Sequence, residues 1–259
     1  APKQDFHGNL HTYNWHWFWD TGNGDTGNQG VHEMDIARWA IKGATMPNRV
    51  WSIGGRYVPG EKDQGQTPNM QISVYEYDEA ILLFETRGLV GKSGSPERNV
   101  SNEYYTTEGM IKGGTFYPKN GGASVKAKGE AAPVTAGGAF GSFIHAVRSR
   151  NNADINCDAE VAHYSAALCH LGNISYRLGK QDSFSGNDNP FGKNEQIKGS
   201  LDMLQNNLKA VNIDLNETTV AMGRDLKFDP ATESFPGDKQ ADALLTRPYR
   251  KPYVVPEIS

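Results

Sequence analysis

Two cysteines in 259 residues are too few for a disulfide scaffold or a zinc ribbon. No apolar run approaches the roughly 20 residues that a membrane-spanning helix needs. A basic excess is missing as well: 26 Lys and Arg against 30 Asp and Glu give a net charge of −4. That balance offers no basic face to nucleic acid and no polybasic patch to a membrane, so the expected partners are small molecules or protein. No internal repeat and no secretory signal at Ala1 are visible, and the compartment stays open between cytoplasm and periplasm. The length suits one large domain over residues 1–259.

What the chain does have is concentrated between Asn14 and Gly43. Three of its five tryptophans fall in WHWFW, a turn rich in Gly, Asn, Asp and Thr follows, and a helical pattern carrying one histidine comes next. In extended form Trp15, Trp17 and Trp19 share one face, and Asn14, His16, Phe18 and Asp20 the other. From Asn28 the spacing becomes helical, and Asn28, His32, Asp35 and Trp39 fall within roughly 40° of one another. Val31, Met34, Arg38 and Ile41 form the adjoining stripe. This predicts a helix half in the core and half at a cleft, although Asn28 also suits an N-cap, His32 a boundary residue and Asp35 a surface acid. Gly22, Gly24 and Gly27 spell the dinucleotide fingerprint in letters only. WHWFWD has no aliphatic residue where a buried Rossmann strand needs a Val/Ile/Leu run, and the glycines are better explained as turn residues.

Downstream, Gly43 and Pro47 end the helix, and residues 49 to 129 read as short strands with glycine turns, antiparallel in local pairing. Residues 58 to 67 are a polar loop and 130 to 137 a linker. Phe140, Phe143, Ile144 and Val147 then give helical apolar spacing up to Arg150. A second helix is expected from about Asp158 to Leu178, with Cys169 as a small buried residue. After a turn-rich connector a third runs from Glu195 to Val211 on Ile197, Leu201, Leu204 and Leu208. The tail from Thr219 looks extended. Ile81, Leu82, Leu83 and Phe84 are apolar toward both sides of the sheet. The expectation is therefore an α+β fold: a large open, predominantly antiparallel sheet with helices packed on one face and another subunit on the other, making a homo-oligomer.

The stretch WHWFWDTGNGDTGNQGVHEMDIARW resembles the start of the C-terminal domain in a bacterial branch of the Gfo/Idh/MocA oxidoreductases, the glucose-fructose oxidoreductase and inositol dehydrogenase family. The family pattern D-x-G-x-H-x-x-D is met by Asn28 to Asp35, with Asn28 in place of the first acid. The similarity continues through RVWSIGGRY, TPNMQISVYEYD, FIHAVRSR, SAALCHLGNISYRLGK and the tail from Leu226 to Pro256. It implies a substrate domain acting on a sugar, sugar derivative or cyclitol alcohol. NAD or NADP and the family's catalytic lysine would belong to a Rossmann domain absent from this chain, which alone would be inactive.

Within that resemblance His32 is the proton-handling residue, because imidazole titrates near neutral pH. Asn28 would orient the substrate or His32, Asp35 would support it, His163 would hydrogen-bond a substrate hydroxyl, and Trp15, Trp17 and Trp19 would stack on sugar faces. His163 and His170 lie roughly 10 Å apart along one helix face, too far to share a metal unaided. Two other readings remain. One is a metal-assisted lyase or hydratase acting on keto-sugars, with His16, His32 and Glu33 as the ligand candidates, although no H-x-x-x-H or H-E-x-x-H spacing exists. The other is a non-catalytic sugar-binding or assembly module.

Overall fold

A computed structural model describes residues 14–58, 63–89, 100–129, 134–184 and 190–256. Parts of the 58–67 loop, the 130–137 linker and the connector before Glu195 lie outside the described residues. The order is α1 (Gly24–Asn28), α2 (Gly30–Trp39), β1 (Arg49–Gly55), β2 (Met70–Glu76), β3 (Ile81–Arg87), β4 (Glu103–Tyr105), β5 (Gly109–Lys112), β6 (Thr115–Pro118) and β7 (Val125–Lys126). Then come α3 (Gly138–Ser149), α4 (Ala159–Arg177), β8 (Lys180–Ser183), α5 (Glu195–Ala210), β9 (Thr219–Met222), β10 (Leu226–Lys227) and α6 (Lys239–Asp242).

The fold is α+β. Its main sheet runs β3-β2-β1-β9-β8, with β10 also paired to β1, and every pairing among the described residues is antiparallel. The 49–129 stretch divides in two, because β4-β5-β6-β7 make a separate antiparallel sheet. Two strands lie where the sequence reads as connector and tail. Lys180–Ser183 forms an edge strand, and Thr219–Met222 sits between it and β1.

Side chains alternate across the strands, so each face of the main sheet gathers its own core. Val50, Tyr75, Tyr77 and Leu82 pack with Met34 of α2 and with Leu168, Leu171 and Ile174 of α4. Trp51, Ile53, Ile72 and Val74 pack with Ile197, Leu201, Leu204 and Leu208 of α5. Helices therefore cover both faces, which revises the expectation of helices on one side and a second subunit on the other. In the apolar run of β3, Leu83 packs with the α5 cluster and Leu82 and Phe84 with the α2 and α4 cluster, while Ile81 is exposed. The helix limits follow from their caps: the Asp158 side chain accepts from the Val161 amide at 2.9 Å, and Asn194 accepts from Gln196 and Ile197.

A buried polar seam ties α1, the sheet and α4 together. Thr26 Oγ1 donates to Gln71 Oε1 (3.0 Å), and Gln71 Nε2 donates to Ser73 Oγ (3.1 Å). Ser73 and Ser52 hydroxyls are 2.8 Å apart, and Ser52 Oγ donates to the Gly172 carbonyl (2.8 Å). Helix α4 comes this close because residue 172 has no side chain; a Cβ there would meet Tyr75 Oη and lie 2.8 Å from Ser73 Oγ. Gly172→Ala is expected to destabilise the protein by about 1–2 kcal/mol, overpacking outweighing a gain of about 1 kcal/mol in helix propensity. Urea unfolding with an unchanged m-value checks this; a more stable variant would show that the helix-sheet spacing is adjustable.

Candidate functional site

The tryptophan stretch is a short 3-10 helix (Asn14–Trp17) and a turn rather than an extended segment. Its backbone is satisfied partly within the stretch and partly by residues 66 and 67. Thr21 Oγ1 donates to the Trp15 carbonyl (2.6 Å), and the Gly22 amide to the Phe18 carbonyl (2.7 Å). The Trp17 carbonyl accepts from the amides of Gln66 and Thr67. Alternation survives this change, with His16 and Phe18 buried while Trp15 is 49% exposed and Trp17 and Trp19 are half-buried. His16 Nε2 lies 3.4 Å from Asp25 Oδ1, which also accepts from the Trp17 indole at 3.2 Å.

Gly22 and Gly24 have local reasons. A Cβ on Gly22 would collide with the His16 backbone, and Gly24 adopts φ +73 against the Thr67 side chain. Close packing against the protein's own chain thus accounts for both glycines.

Helix α2 buries Gly30, Met34 and Arg38. His32, Ile36 and Trp39 of the same helix are exposed, and so is Asn28, the last residue of α1. Asp35 belongs elsewhere. Its Oδ1 accepts from the Ser165 hydroxyl of α4, from Arg38 at 3.5 Å and from the Trp39 indole at 3.2 Å. Arg38 also donates to the Ala44 and Val161 carbonyls (2.8 and 3.4 Å). Asp35 is therefore a bracket between α2 and α4 rather than a group beside an open cleft. His163 is exposed and pairs with Glu233 at 2.8 Å.

The alternative metal set does not assemble. His16 is buried beside Asp25, His32 is exposed on α2, and Glu33 accepts from Gln29 Nε2 (3.2 Å). Among the described residues no group of three His, Cys, Asp or Glu is placed to hold a metal. Cysteine chemistry is equally unsupported: burial pushes the Cys169 thiol up to about 12, and desolvation followed by Asp35 and Asp158 raises that of exposed Cys157. Among the described residues no helix is long and apolar enough to cross a membrane.

What the sequence reading missed is a set of cations on two of the tryptophans. Arg56 lies over the Trp17 ring at 5.0 Å and is paired with Asp63. Arg177 lies over the Trp19 ring at 5.0 Å, and the Tyr176 ring is 6.4 Å from that indole. Arg247 donates to the carbonyls of Trp19 and Asp20. Desolvation first, and then the neighbouring Arg247, hold Arg177 below the ordinary guanidinium value, while Asp20 raises it. The chain matches no protein-family model, no curated protein and no solved structure.

Proposed function

We propose that the chain is the substrate domain of an NAD(P)-dependent oxidoreductase acting on a sugar, sugar derivative or cyclitol alcohol, with His32 taking the hydroxyl proton and Asn28 orienting substrate. The observation that carries this reading is the exposure of His32, Ile36 and Trp39 on α2, a helix anchored through Met34 and Arg38, with exposed Asn28 at the end of α1 just before it. A base on such a helix meets substrate while its backbone stays fixed, and an exposed indole one helix length away suits a sugar C–H face. The residue-by-residue resemblance supplies the reaction class. The nicotinamide cofactor would be held by a Rossmann domain outside these 259 residues, and close packing within this chain accounts for Gly22 and Gly24. Self-association, if it uses a sheet, would use the smaller one, where Tyr105, Tyr117 and Val125 are exposed.

Calorimetry of this chain with NAD and NADP is expected to show no binding at micromolar concentrations. Micromolar affinity for either would mean the cofactor site lies within this chain. A non-catalytic carbohydrate-binding module is the second reading, favoured by the Arg177–Trp19–Tyr176 cluster.

A further inference from the structure

Around Trp19 the fold assembles two guanidiniums drawn from distant parts of the chain. Arg177 comes from the last turn of α4 and covers the indole. Arg247 comes from the segment after α6 and donates to the Trp19 and Asp20 carbonyls. Both arginines are exposed and Trp19 is half-buried. Among the described residues Arg177 has no hydrogen bond or ion pair, so its planar fork of N–H donors is held in place by the ring without being consumed by a carboxylate. Asp20 is the acid that faces it. Arg56, by contrast, is committed to Asp63.

We propose that Trp19, Tyr176, Arg177 and Arg247 form a binding site for a sugar bearing an anionic group, a carboxylate or a phosphate. Guanidinium forks match the paired oxygens of both groups, and the indole and phenol rings offer an apolar wall to the sugar ring. A net-negative protein gains selectivity by concentrating positive charge at one place. The neutral sugar lacks the group that the forks are built to bind. The inference rests on the carbohydrate reading of the tryptophans and is independent of the redox reading.

Titration of the 259-residue chain, by calorimetry or by NMR of the indole N–H signals, tests it. The probes are a hexuronate, a hexose phosphate, the neutral hexose and inorganic phosphate. At least one acidic sugar is expected to bind about tenfold or more tightly than the neutral hexose, with affinity falling as salt is added. Arg177→Gln should lose that preference at an unchanged thermal midpoint, and Arg177→Lys should recover part of it. Tighter binding of the hexuronate identifies the carboxylate, and tighter binding of the hexose phosphate identifies the phosphate. Equal binding of neutral and acidic sugars, or an Arg177→Gln chain that retains the preference, overturns the anionic assignment while leaving the carbohydrate reading intact. Binding of inorganic phosphate with no sugar bound at millimolar concentration overturns both.

Discussion

Replacing Asp35 with alanine is expected to lower the stability of the chain by about 2–3 kcal/mol. The carboxylate is the shared acceptor for Ser165 of α4 and for Arg38 and Trp39 of α2. Arg38 is only 7% exposed, so its charge relies on protein acceptors. Removing one partner of a fully buried ion pair costs about 3–5 kcal/mol. Two features reduce that figure here: the Asp35 side chain keeps 24% of its exposure, and Arg38 retains the Ala44 and Val161 carbonyls. Asp35→Asn keeps an acceptor for Ser165 and should cost less. Urea unfolding of the three proteins measures this. If Asp35→Ala unfolds like the parent but loses sugar binding, the bracket role is wrong and the carboxylate contacts substrate.

His32→Ala should behave in the opposite way. The ring is exposed on α2, whose packing rests on Met34 and Arg38, so the thermal midpoint should barely move. Turnover of the protein assembled with the proposed nucleotide-binding domain should fall about 100-fold or more, as expected when a general base is lost. His163→Ala is the natural comparison, because His163 is already paired with Glu233 and should matter little to turnover. A collapse of the fold in His32→Ala would make that histidine structural.

Helix positions were legible because local rules set them. Asp158 and Asn194 cap α4 and α5 by their own side chains, and the α5 stripe from Ile197 to Leu208 is buried as its spacing predicts. The same spacing in α3 gave the helix but not its environment, for Phe140 and Phe143 are 87% and 66% exposed. Periodicity reports an apolar face without naming what covers it. The tryptophan stretch alternates buried and exposed side chains as an extended chain would, yet it is a 3-10 helix and a turn. Only the bonds from Thr21, Gln66 and Thr67 to its carbonyls decide between them. Thr219–Met222 carries strand-forming Thr and Val, yet its place beside β1 depends on chain crossings that no local signal encodes. Asp35 looked like a cleft residue because it shares a helical arc with His32; its partner Ser165 lies 130 residues away. Arg247 reaches Trp19 from still farther along the chain.

The most direct test of the account is turnover. The chain, joined to or mixed with the proposed nucleotide-binding domain, would be assayed for reduction of NAD and of NADP over a panel of neutral sugars, acidic sugars and cyclitols. The account predicts that at least one of these alcohols is oxidised with one of the two cofactors, and that His32→Ala abolishes most of that turnover. A folded, sugar-binding assembly that reduces neither cofactor with any member of the panel would contradict it and leave a carbohydrate-binding module.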